Sequence, residues 1–164
     1  GSHGQSDLGI WRVHQFTKIE QIIIATPEQS WELQEELLQN CLDLWDALGM
    51  HYEVVNICTG DMGTVAARKY DLEAWIPGAN QYKEIVSCSN CTDYQANRLQ
   101  IRYGQPGHAG QPIAHTLNST AVATSRALVA IMEQNQMEDG RVRIPEVLQP
   151  LMGGQETLEP CTWG

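Results

Sequence analysis

These 164 residues predict an α+β fold, an antiparallel or mixed sheet flanked by helices. Three observations carry that expectation. Branched and aromatic residues concentrate over residues 11–25, where they suit a pleated strand. Two amphipathic stretches, near residues 27–48 and 119–136, have helical spacing. Several of the other strand candidates follow one another with no convincing crossover helix between them, which parallel neighbours would need.

Taken in order, residues 1–9 read as a polar loop. In the strand at residues 11–25, strict alternation puts Arg12, His14, Phe16, Lys18 and Glu20 on one face and Val13, Gln15, Ile19 and Ile23 on the other. An aromatic on a polar face fits either a surface or a ligand-lined cleft. A helix follows. Pro27 suits its first turn, Thr26 and Gln29 stand at capping-box spacing, and glutamates crowd the positive end of the dipole. Leu33, Leu37, Cys41, Leu44, Trp45 and Leu48 form its buried stripe, and Gly49 ends it.

Residues 51–58 alternate as a strand. A loop around Gly60 and Gly63 leads to a short helical piece at residues 65–70 and a strand at residues 72–76. Pro77-Gly78 is a turn, and residues 82–88 form a further strand. Residues 93–102 read as helical then extended, and residues 104–112, with three Gly and two Pro, as a loop. A short strand at residues 115–118 precedes a helix capped by Ser119 or Thr120, with Arg126 in its first two turns. Pro145 opens a last short helix, and Gly153-Gly154 begins a polar tail.

Composition narrows the function classes. With 42% hydrophobic and 18% charged residues the chain is neither collagen-like nor largely disordered. Its aliphatic runs, such as residues 22–25, fall far short of the roughly 20 residues of a membrane span, so no membrane partner is expected. Ten Lys+Arg against twenty Asp+Glu give a net charge of −10, which repels phosphate backbones at long range and argues against general nucleic-acid binding. The chain opens Gly1-Ser2-His3-Gly4 without a cationic, apolar leader, and its five cysteines (Cys41, Cys58, Cys88, Cys91 and Cys161) are an odd number without framework spacing. The expectation is a soluble, cytoplasmic domain with reduced thiols, cut from a longer chain.

Cys88-Ser-Asn-Cys91 has C-x-x-C spacing, and Cys58, His51 or His115 could complete a zinc site. No second ligand pair at comparable spacing exists, so no structural zinc is expected. A redox motif would sit at a helix N-terminus in a βαβ context, so two buried thiols beside a strand end are the simpler reading. No dinucleotide fingerprint, P-loop or G-x-S-x-G elbow is present.

Five segments carry a resemblance. Arg12-Val-His-Gln-Phe-Thr-Lys-Ile-Glu20, Asn56-Ile-Cys-Thr-Gly-Asp61, Tyr70-Asp-Leu-Glu-Ala-Trp75, Glu84-Ile-Val-Ser-Cys-Ser-Asn-Cys-Thr-Asp93 and Thr116-Leu-Asn-Ser-Thr120, the last followed by Arg126, stand in order. Together they closely resemble the C-terminal part of the catalytic domain of seryl-tRNA synthetases, a class II aminoacyl-tRNA synthetase family. The resemblance extends to about Gly154. It implies a partial class II catalytic core over residues 1–154, from the second half of motif 2 through motif 3, and a polar tail over residues 155–164.

The resemblance implies ATP-dependent activation of serine to seryl-adenylate and transfer to tRNA(Ser). Phe16 would stack on adenine, the backbone of Val13, His14, Gln15 and Phe16 would line its pocket, and Arg12 would lie near the phosphates. Glu20 would take the serine ammonium, and Asn118 and Thr120 would read its hydroxyl. Glu84, Ile85, Val86 and Ser87 would meet ATP, with Glu84 and Ser87 holding magnesium. Strict alternation sets Glu84 and Ser87 on opposite faces, so their joint role requires a bulge or a strand end. Arg126 would bind the γ-phosphate, making Arg126 and Arg12 the catalytic cations.

Motif 1, the Thr-x-Glu serine loop, the Phe-Arg-x-Glu half of motif 2 and the tRNA-gripping helical arm have no counterpart here. The expected unit is therefore incomplete on its N-terminal side and inactive alone. The complete enzyme would be a homodimer that binds tRNA(Ser). The alternatives are a non-catalytic serine- or nucleotide-binding paralogue and a related ligase that charges a carrier protein.

Overall fold

The computed structural model describes residues 9–105 and 107–161. Most of the expected opening loop lies outside the described residues. A 3-10 turn at Gly9–Trp11 leads to β1 (Lys18–Ala25), α1 (Ser30–Ala47), β2 (Tyr52–Asn56), β3 (Arg68–Ile76), β4 (Gln81–Asn90), α2 (Tyr94–Leu99), β5 (His115–Ala123) and α3 (Thr124–Gln134). A short pair, β6 (Val142–Arg143) and β7 (Thr157–Leu158), brackets a 3-10 helix at Glu146–Met152.

The five main strands lie in the order β1-β5-β4-β3-β2, and every pairing is antiparallel. One face of this sheet packs on α1 and α3. Cys41 and Trp45 of α1 and Ala127 and Ala130 of α3 share a core with Leu72, Ala74, Ile76, Ile85 and Val86. A second cluster joins Leu37 to Ala25, Cys88 and Leu117. No helix among the described residues is long and apolar enough to cross a membrane.

Helix α1 keeps its expected stripe, with a polar insertion: Gln34 is fully buried and bonds the Arg68 carbonyl at 3.1 Å. Its start differs from the capping box, because Thr26 Oγ1 meets the Gln29 side chain and the Thr26 carbonyl takes the N–H groups of Gln29 and Ser30. Gly49, at φ +67°, ends it in a Schellman arrangement: Met50 N bonds Trp45 O and Gly49 N bonds Asp46 O.

Three elements depart from the sequence expectation, and strand pairing accounts for each. The first strand begins at Lys18, not residue 11, because its partner β5 turns into α3 at Thr124 and the ladder ends at Lys18↔Ala123. Residues 68–70 are strand, not helix, because β3 pairs with β4 along its whole length from Arg68↔Asn90 to Ile76↔Gln81. Ser119 and Thr120 do not cap a helix. They continue β5, paired with Gln21 and Glu20 of β1, and α3 starts at Thr124. Within the expected polar tail, Thr157 and Leu158 pair back on Arg143 and Val142.

Candidate active-site face

Residues directly opposite in an antiparallel pair share a face. The sheet face turned away from α1 and α3 therefore carries Glu20 beside Thr120, Asn118 beside Ser89, Ser89 beside Lys69, Ser87 beside Asp71, Glu84 beside Glu73, and Glu73 beside Glu53. Polar side chains from all five strands converge on one surface.

A bulge makes that convergence possible. The register shifts between Leu72 and Glu73, so Val86 opposes Leu72 while Glu84 opposes Glu73. Ile85 is the extra residue, and Ile85 and Val86 are both buried in the core. Glu84 and Ser87, which strict alternation would separate, thus stand on the same face. Ile85 and Val86 have only backbone to offer a ligand there.

At the β1–β5 end, Glu20 is held by three donors. Asn118 Nδ2 donates to Oε1 at 2.9 Å, Thr120 Oγ1 to Oε2 at 3.1 Å, and Lys18 Nζ lies 2.8 Å from Oε2. Burial pushes the Glu20 carboxyl up, but the bonds from Lys18, Asn118 and Thr120 outweigh it and hold it below its ordinary value. The result is an ionised, oriented carboxylate at the edge of an open cleft of about 420 Å³ that Asn118, Gln95, Ile22 and Ile24 also line. Asn118 and Thr120, two residues apart on β5, share this face.

At the β4–α3 end, the first turn of α3 brings Arg126 to Glu84. Its Nη1 donates to the Glu84 carbonyl at 2.8 Å and lies 3.2 Å from Oε1. Arg126 also sits over the Trp11 ring at 5.4 Å, with Lys83 over the same ring at 5.3 Å. Arg12, Trp11, Glu73, Lys83, Glu84 and Arg126 line one open cleft of about 270 Å³. Both expected cations and the expected magnesium carboxylate are therefore neighbours.

Residues 12–17 precede β1 and are not strand. There Phe16 is 49% exposed, His14 and Gln15 are exposed, and Val13 is half-buried. The C-x-x-C cysteines Cys88 and Cys91 are buried free thiols at the end of β4.

Sequence reasoning passed over Lys18 and Trp11 as site residues. Lys18 was legible as a same-face neighbour of Glu20 two residues on. The contact of Trp11 with Arg126 spans the chain and left no local signal. Burial, with Glu53, Asp71 and Glu84 nearby, raises the Glu73 carboxyl above its ordinary value.

Residues 3–135 match the family model of the tRNA synthetase class II core domain (G, H, P, S and T). The chain is 59% identical over 160 residues to the serine–tRNA ligase of Methanocorpusculum labreanum, covering 96% of this chain and 37% of that protein. It is 57% identical over 150 residues to that of Archaeoglobus fulgidus, covering 91% and 33%. The crystal structure of seryl-tRNA synthetase from Pyrococcus horikoshii complexed with ATP superposes with a TM-score of 0.93 at 52% identity, over 98% of this chain and 36% of that one. The cytoplasmic serine–tRNA ligase from Naegleria fowleri in complex with AMP gives 0.88 at 49% identity, over 94% and 37%. The chain thus spans little more than a third of the length of the relatives it matches.

Proposed function

This chain belongs to the class II tRNA synthetase core-domain family, and from that premise we propose that it forms the serine- and ATP-binding face of a serine–tRNA ligase. The observation that carries the reading is the Glu20–Asn118–Thr120 cluster, a carboxylate with both oxygens engaged, on the same sheet face as Glu84 and its partner Arg126.

In this reading Glu20 accepts from the serine ammonium, a charge-assisted contact, while Asn118 and Thr120 meet the hydroxyl. A site built on polar partners rejects alanine, which would leave them unpaired. Phe16 stacks on adenine beside the backbone of residues 13–16. Arg12 and Arg126 take the phosphates as the serine carboxylate oxygen attacks the α-phosphorus and the bond to pyrophosphate breaks. Such positioned cations act mainly by stabilising developing charge. A tRNA ribose hydroxyl then takes the seryl group and AMP leaves.

Glu84 and Ser87 fit magnesium as donors, because the bulge sets a carboxylate and a hydroxyl, both hard oxygens, on one face. Bound there, the ion would neutralise phosphate charge. For the complete protein the same reading implies tRNA(Ser) as acceptor, a homodimer and a cytoplasmic location.

The test is ATP–pyrophosphate exchange by the complete protein that carries this segment. Exchange that requires serine and is lost in Glu20→Ala and Arg126→Ala supports the reading. Serine binding without exchange would instead make it a binding paralogue. Exchange followed by transfer to a carrier protein, and not to tRNA, would make it a carrier-charging ligase.

A further inference from the structure

We propose that Cys91 is a positioning residue of the amino-acid pocket: its thiol donates to Asn118 Oδ1 and thereby reinforces the flip that sets the Asn118 Nδ2 toward Glu20. The proposal rests on the reading that Glu20, Asn118 and Thr120 hold serine.

The argument starts from what an asparagine can do. Its side chain has a donating and an accepting end of nearly equal shape, so packing alone does not choose between its two flips. Glu20, ionised, only accepts. Asn118 therefore serves it with Nδ2, at 2.9 Å from Oε1. The opposite end, Oδ1, then points at Cys91 Sγ, 3.7 Å away. Facing an acceptor, the thiol must be the donor. Burial raises the Cys91 pKa, which keeps the proton on sulfur at neutral pH.

The backbone makes this contact rigid. Cys91 N bonds the Thr116 carbonyl at 2.9 Å, and Thr116 N returns a 2.9 Å bond to the Thr92 carbonyl. Thr92 holds φ +45°, and its N–H bonds Asn90 Oδ1 at 3.0 Å. Asn90 is itself fully buried and tied to the Ser30 carbonyl. Cys91 is 2% exposed, so water does not stand in for Asn118, and the other polar side chain at its sulfur is Thr116, whose hydroxyl donates to Gln95 Oε1 at 2.7 Å.

The neighbouring thiols do different work. Cys88 Sγ meets the Gln34 carbonyl on α1, and Cys41 Sγ meets Ser119 Oγ and the Thr120 carbonyl. Among the described residues, Cys91 alone of the cysteines bonds a side chain of the pocket.

Without the S–H donor, the flipped amide would set Oδ1 against the Glu20 carboxylate and lower the fraction of protein competent for serine. Apparent affinity falls in proportion to that fraction.

The experiment compares serine and ATP kinetics for Cys91→Ala, Cys91→Ser and Cys91→Val in the complete ligase, with Glu20→Ala in parallel. Loss of one neutral hydrogen bond corresponds to a roughly three- to tenfold rise in serine KM for Cys91→Ala, with ATP KM unchanged. Cys91→Ser, which keeps a donor, restores serine KM to within about twofold of wild type. Cys91→Val, which fills the volume without a donor, does not. A wild-type serine KM in Cys91→Ala, or restoration by Val equal to that by Ser, overturns the proposal. Should Cys91→Ala fail to fold, the Cys91 S–H stretching band in the infrared decides. It shifts to higher frequency in Asn118→Ala if the bond exists, and an unmoved band overturns the proposal. Glu20→Ala with an unchanged serine KM would overturn the pocket reading and this proposal with it, whereas an essential Glu20 with a silent Cys91 defeats the proposal alone.

Discussion

Arg126 reaches across from the first turn of α3 to hold Glu84 twice, through the backbone carbonyl at 2.8 Å and the carboxylate at 3.2 Å. The cation proposed for phosphate and the carboxylate proposed for magnesium thus neutralise each other on an open face, with Arg126 side-chain exposure at 25% and Glu84 at 45%. A pair so exposed contributes about 1 kcal/mol or less to stability. Arg126→Ala should therefore leave the thermal midpoint nearly unchanged while lowering serine-dependent ATP–pyrophosphate exchange by roughly two to three orders of magnitude. A parallel melt and exchange assay on the same preparation checks both halves. Equal damage to stability and activity would make Arg126 a structural residue.

Glu73 should limit stability at neutral pH. Burial raises its carboxyl, and Glu53, Asp71 and Glu84 raise it further. A group with a raised folded pKa costs stability as pH climbs through the carboxylate range, and the full cost is present above its folded value. Glu73→Gln should then melt higher than wild type at pH 7, by about 0.5 kcal/mol or less because the site is partly solvated. The gain should vanish in acid, where Glu73 is protonated in both states. Melts at neutral and acid pH measure it.

The strands and helices that local pattern could reveal were legible, and the residues that the resemblance names on β1, β4 and β5 lie on one sheet face. The stripe from Leu33 to Trp45 declares α1 because each residue repeats within its own element. Arg68 and Lys69 misled, since residues 65–70 have acceptable helical propensity and their strand is imposed by Asn90 and Ser89 across the sheet. Ser119 and Thr120 misled in the same way: both favour helix caps, yet pairing with Gln21 and Glu20 prevails. The bulge at Ile85 was needed to bring Glu84 and Ser87 together, but its position is a property of two paired strands. The Cys91–Asn118 contact links residues 27 positions apart, beyond any local pattern.

Gln34 is a buried polar residue whose truncation carries a large penalty. It is fully buried, donates to the Arg68 carbonyl at 3.1 Å, and accepts from Arg68 Nε at 2.7 Å. Arg68 in turn packs over Trp31 and Tyr70 and pairs with Glu35 at 2.7 Å. Gln34→Ala removes the acceptor for Arg68 Nε and opens a cavity under α1. The expected cost is about 2–4 kcal/mol, read as a lower urea midpoint with unchanged slope. Gln34→Glu keeps the acceptor for Arg68 but sets a carboxylate against the Arg68 carbonyl, so it should fall between the two. A variant Gln34→Ala that melts like wild type would mean that water replaces the side chain.

Glu20 ties stability to the same chemistry that would bind serine. Burial raises its carboxyl, yet the donors Lys18, Asn118 and Thr120 together bring it below the ordinary value of 4.5. A depressed folded pKa means that the folded state releases the proton more readily than the unfolded chain. The resulting stability is complete above the unfolded value and is lost as pH falls through the folded value. Glu20→Gln cannot ionise, so it lacks this increment at every pH. The difference in urea midpoint between wild type and Glu20→Gln should therefore be largest at neutral pH and shrink steadily in acid. Lys18→Met should reduce the pH-dependent part while sparing the bonds from Asn118 and Thr120. If the wild-type advantage over Glu20→Gln stays constant down through the carboxylate range, the three donors do not favour the charged form, and a neutral Glu20 would be the wrong partner for an ammonium group.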